Sequence, residues 1–142
     1  MTILSLLTIV LASAFNLIPD MNVTFPKVLT PCDNITPVLF DTAIQVCSSI
    51  SQTGYEVILS SINSTGTICQ SNLMPDTTFG LMTLMINGLT YITTHNGILH
   101  LPNTLHNVLY HEILHSLGLV HSDKEGLMNY SVQVGRWFGT YG

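Results

Sequence analysis

The chain has 142 residues, of which 46 % are apolar and only 8 % charged, with a net charge of −5. That length supports one domain with a modest core. With Lys27, Lys124 and Arg136 as the only basic residues, a nucleic-acid surface is excluded, because it needs clustered cations.

Residues 3–18 are nearly all apolar or small, and Ala12-Ser13-Ala14 has the small-x-small pattern of a signal-peptidase site. The run is shorter than the ~20 residues that span a bilayer. The expectation is a signal peptide over residues 1–14, cut near Ala14–Phe15, and a single domain over 15–142, secreted, extracellular and free of the membrane once the signal is removed. An uncleaved anchor or a first core strand is the alternative. Sequons at Asn22, Asn34, Asn63 and Asn129 fit that route, and attached sugar would offset the low surface charge. Cys32, Cys47 and Cys69 allow one disulfide and one free thiol in an oxidising compartment, with all three pairings open. Cys47 lies on an apolar stripe and reads as core.

Asn22 to Leu29 alternates enough for a first strand, and Thr30 to Ile35 reads as a loop. Thr36 can cap a helix that has Pro37 at its first position, with Ile35 and Phe40 as a hydrophobic staple. Leu39, Ala43, Val46, Cys47 and Ile50 recur at helical spacing, which predicts an amphipathic helix over 37–52. Tyr55 to Ile62 reads as a second strand and 63–79 as a polar surface loop. Gly80 to Ile86 reads as a third strand and Leu89 to Thr94 as a fourth, joined by the turn signal Asn87-Gly88; a second turn at His95-Asn96-Gly97 leads to a last strand at Ile98–Leu101. Pro102-Asn103-Thr104 opens a second helix, with Asn103 or Thr104 as its cap. This order is that of an α+β fold.

Residues 111–121 read His-Glu-Ile-Leu-His-Ser-Leu-Gly-Leu-Val-His. On a helix, His111 and His115 lie on one face and can ligate one ion. Glu112, next to the first ligand, can act on a water there. His121 reaches the same ion only if the chain turns, and Gly118 tolerates the positive φ that such a turn needs. Three histidines leave a fourth position open, as in catalytic rather than structural zinc sites. His95, His100 and His106 are expected to be solvent-facing or satisfied in the core.

The spacing of His111, Glu112, His115, Gly118 and His121, followed by Met128, resembles the metzincin clan of zinc endopeptidases. Ser122 after the third histidine resembles the matrixin branch, whereas Tyr130 resembles astacins and serralysins. The resemblance implies a minimal, truncated member: a twisted mixed sheet of about four to five strands, two main helices and a short C-terminal Met-turn subdomain. It implies one catalytic Zn2+ on His111, His115 and His121, Glu112 as general base, Tyr130 as a donor to the oxyanion, and Met128 beneath the ligands. Thr30-Pro31-Cys32-Asp33 loosely resembles the matrixin propeptide motif, in which a thiol caps the zinc. In that clan an edge strand beside the zinc helix binds extended substrate; by order this is Leu89 to Thr94, unless that strand is internal. Trp137 and Phe138 are expected to close the floor under the site or to line a substrate pocket. The implied partner is a peptide or protein substrate, extracellular matrix included, acted on by a monomer. A secreted zinc-binding module without activity shares every ligand, and Glu112 speaks for the enzyme.

Overall fold

The computed structural model describes residues 27–84, 89–122 and 126–129. The expected signal peptide, the sequon at Asn22, the Asn87-Gly88 turn, Tyr130, Trp137 and Phe138 lie outside the described residues. The elements follow as β1 (Lys27–Pro31), α1 (Pro37–Gln52), β2 (Val57–Leu59), β3 (Gly66–Ser71), β4 (Gly80–Leu84), β5 (Thr90–His95), a 3-10 turn (Asn96–Ile98) and α2 (Pro102–Ser116). Five strands form one mixed sheet in the order β2-β1-β3-β5-β4. All pairs are parallel except β4 with β5. The α+β class therefore holds, with both main helices packed against the sheet.

α1 forms where its sequence signals place it. The Thr36 side chain accepts from the Leu39 amide, Pro37 opens the first turn, and Leu39, Ala43, Val46, Cys47 and Ile50 are buried. Ile35 packs on the core while Phe40 stays exposed. Sheet residues Leu29, Ile68, Met82 and Ile92 meet α1 and α2 side chains in one apolar cluster. Each such side chain, fully buried, contributes roughly 1.5–3 kcal/mol.

Several boundaries differ from the sequence reading. β1 runs on through Thr30 and Pro31; Pro31, which has no N–H to offer, is its last residue. The second strand shrinks to Val57–Leu59. The presumed loop over 63–79 contains β3, which lies between β1 and β5. Gly66 suits that place because a Cβ there would meet the Thr90 carbonyl oxygen at 2.7 Å; its glycine marks close backbone approach rather than a turn. Ile98 to Leu101 is not a strand: the His95 side chain accepts from the Gly97 amide and starts the 3-10 turn instead. β5 is internal, so the edge strand antiparallel to its neighbour is β4, not Leu89 to Thr94.

Cys32 and Cys69 form a disulfide between the end of β1 and β3, so the Cys32 sulfur is committed there and not to a metal. Cys47 is free and buried, and burial pushes its thiol up to about 12, which leaves it inert. Among the described residues, no helix is long and apolar enough to cross a membrane.

Candidate metal centre

α2 begins at Pro102, with Leu101 as a cap position that makes no side-chain bond. The expected cap at Asn103 or Thr104 is thus one or two residues inside the helix. Proline is favoured at a first helical position because its missing N–H would have no partner there anyway. Every residue from Thr104 to Ser116 is buried, since α2 packs against α1, β4 and β5 together. A helix enclosed in this way must satisfy its polar side chains internally. His106 does so with Asn107 at 3.0 Å and an edge-on contact with Tyr110. Burial lowers its pKa, partly opposed by Asn107.

His111 and His115 lie one turn apart, and His121 joins them. Their Nε2 atoms are separated by 3.0 Å (His111–His115), 3.1 Å (His115–His121) and 3.2 Å (His111–His121). The other ring nitrogens explain this convergence. His111 Nδ1 lies 2.6 Å from the Leu127 carbonyl oxygen and His115 Nδ1 lies 2.8 Å from that of Leu119. A carbonyl only accepts, so each Nδ1 carries the proton and each Nε2 presents a lone pair. The lone pairs of His111 and His115, facing one another at 3.0 Å, repel, and a shared cation turns that repulsion into attraction. Four tetrahedral ligands at ~2.0–2.1 Å from an ion stand about 3.3 Å apart, close to the spacing observed. The donor set therefore fits a metal ion. Neutral imidazoles of this kind suit zinc, copper, iron and nickel alike.

The electrostatics agree. Burial, then the neighbouring His115, holds His111 well below its ordinary value, against the pull of the Leu127 carbonyl. Burial lowers His115 and His121 each to about 4. At neutral pH all three are uncharged and ready to ligate.

The turn after α2 supplies both the third ligand and a support for the second. Gly118 has φ 96°, its amide bonds the His115 carbonyl, and the Leu119 amide bonds the Leu114 carbonyl. This is the Schellman arrangement, which requires a left-handed residue at the Gly118 position. The same turn brings the Leu119 carbonyl to His115. Ser122 then pairs with Asn129 and donates to the Met128 carbonyl at 2.8 Å. That contact folds the 126–129 segment back so that the Leu127 carbonyl reaches His111. Met128 is buried in the core cluster.

Glu112 is 1 % exposed. Its side chain lies against edge strand β4, where a Cβ on Gly80 would come within 3.1 Å of Oε2. His100 is exposed. His95 spends Nδ1 on Gly97 and places Nε2 3.4 Å from Asp76. Neither joins the His111, His115 and His121 group, the metal-type cluster found among the described residues. The carbonyls of Leu119 and Leu127 were beyond sequence reasoning, because any residue type can supply them. Gly80 carries a signal, a glycine heading an apolar run, which marks a strand start but does not reveal the approach of Glu112. No known protein-family model matches the chain, and no curated protein is significantly similar to it.

Proposed function

We propose that this chain is a secreted zinc endopeptidase of metzincin type, acting on peptide or protein substrates. The observation that carries the reading is the convergence of three Nε2 atoms within 3.2 Å of one another, with Glu112 one residue from the first of them. Zinc bound there would supply a Lewis acid that makes water acidic near neutral pH and polarises a carbonyl.

The protein's own groups do the rest. His111, His115 and His121 stay neutral and hold the ion, oriented by the Leu127 and Leu119 carbonyls. Glu112 accepts the proton of the attacking water on its carboxylate and returns it to the departing amine. Tyr130, by the resemblance, donates a hydrogen bond to the oxygen that gains charge as the carbonyl is attacked. Met128 supports the ligand cradle from the core. The outer side of β4 can pair with an extended peptide through main-chain hydrogen bonds; among the described residues β4 is the sheet edge, and it packs against α2. The Cys32–Cys69 disulfide supports an oxidising, extracellular setting.

The test is cleavage of casein or gelatin by residues 15–142, with bound metal measured in parallel. Activity should vanish with chelator and return with zinc. Glu112→Ala should keep stoichiometric metal and lose turnover about 10²–10⁴-fold. Full turnover in Glu112→Ala removes the general-base role, and metal binding without any cleavage by the parent protein leaves a binding module.

A further inference from the structure

The site's acid is placed by a residue that has no side chain. β4 crosses α2 at Gly80 so closely that a Cβ there would meet Val108 Cγ1 at 2.5 Å, Glu112 Oε2 at 3.1 Å and Glu112 Cγ at 3.2 Å. Separations under 3 Å between carbons do not persist, and those near 3.1 Å force the neighbour to move. Val108 and Glu112 lie four residues apart, so they stand one above the other on the helix face turned to β4. Both are buried, at 3 % and 1 % exposure, so neither can swing into solvent. Gly80 is paired with Thr94 of β5, which fixes its backbone and leaves β4 no room to retreat without breaking that pairing.

We propose that Gly80 is a positioning residue for Glu112: the bare backbone of the edge strand is the wall against which the carboxylate sets. This rests on the peptidase reading for its catalytic meaning, but the contact itself does not. Any side chain at position 80 pushes the carboxylate away from β4, which is also the strand proposed to hold the substrate. The shift these contacts force on Glu112 is a few tenths of an ångström, and a misplacement near 1 Å at a reacting group costs about a hundredfold in rate, so a smaller but measurable loss is expected.

The test separates packing from placement. Val108→Ala removes the 2.5 Å contact and serves as the reference background, and Gly80→Ala is then added to it. In the zinc-loaded double variant the metal content stays stoichiometric, and kcat/KM falls at least tenfold relative to Val108→Ala alone. The second readout needs no activity. The chain has glutamates only at 56, 112 and 125, so carboxyl 13C resonances can be resolved at one fixed pH, with Glu112 identified by its loss in Glu112→Gln. The Glu112 resonance moves in the double variant while those of Glu56 and Glu125 stay. An unmoved Glu112 resonance overturns the proposal. If the parent protein binds zinc but cleaves nothing, the peptidase reading fails while the resonance still decides the contact. Should the double variant not fold, adding Glu112→Ala decides it: restored folding supports the contact, and continued unfolding overturns it.

Discussion

α1 and α2 are nearly equal in length, 16 and 15 residues, yet they are built on opposite plans. α1 buries one stripe and leaves Val38, Phe40 and Ile44 on an open face. α2 is enclosed from Thr104 to Ser116 and carries His106, Asn107, His111, Glu112, His115 and Ser116 into the interior. Burying a polar group costs free energy unless it finds a partner, so apolar residues would fold α2 better. Here His106 is held by Asn107, Ser116 donates to the Ile113 carbonyl, and two ring nitrogens are held by carbonyls. One helix answers to packing; the other accepts a packing cost to hold a constellation. Places where a sequence departs from the best local choice are where function is to be sought.

The largest test of this contrast is His115→Ala. It removes one corner of the triangle, so metal binding should be lost, along with the metal-dependent rise in melting temperature. For the parent protein that rise corresponds to about 4 kcal/mol at a metal concentration a thousandfold above Kd. Metal analysis and melting with and without chelator check it, and a variant that still melts higher with metal would count against the site. The counterpart in α1 is Leu39→Ala, at a fully buried position. It should cost 2–5 kcal/mol, roughly, in denaturant unfolding, while the folded fraction keeps full metal stoichiometry.

Acid should separate the helices next. His115 and His121 are held near 4 and His111 well below its ordinary value. Between pH ~6.5 and ~4 the unfolded chain therefore binds protons that the folded chain refuses. The metal-free protein should keep its melting temperature above pH 7 and lose it progressively as the pH falls through that window. Metal should be released over the same range, because protons compete for the Nε2 lone pairs. α1 adds nothing to this loss: its buried titrating group is Cys47, raised to about 12. A metal-free protein whose melting is flat from pH 7 to 4 would show the histidines are not held neutral by burial.

The two helices were also legible to different degrees. α1 was readable with its bounds, cap and stripe, because each signal is local: Thr36, Pro37 and an apolar repeat. The ligand set was readable too, since Gly118 has only one conformational reason to sit three residues after His115. What stayed hidden depends on distant backbone. β3 looked like a loop because Gly66 and its polar neighbours carry turn-like composition, and only the approach of Thr90 explains the glycine. β5 could not be told from an edge strand because the insertion of β3 beside it is a long-range pairing. The cysteine pairing was open for the same reason. The carbonyls of Leu119 and Leu127 leave no mark on residue identity at all.

The smallest effect tests whether the helices are separable. The Thr36 side chain accepts from the Leu39 amide at 3.4 Å, while the Thr36 amide is held independently by Gln70 at 3.1 Å. Thr36→Ala should thus free one amide without moving the loop, at a cost of about 1 kcal/mol, and Thr36→Ser should recover most of it. α2 has no equivalent to lose, because its cap position is Leu101. Metal affinity should be the same in both Thr36 variants as in the parent protein, since α1 carries none of the three histidines and meets α2 within the shared apolar cluster. Denaturant melts and metal titrations on the three proteins measure this. If affinity fell in step with stability, the loosened first turn of α1 would have to be felt at the ligands, and packing and constellation would be one cooperative unit rather than two.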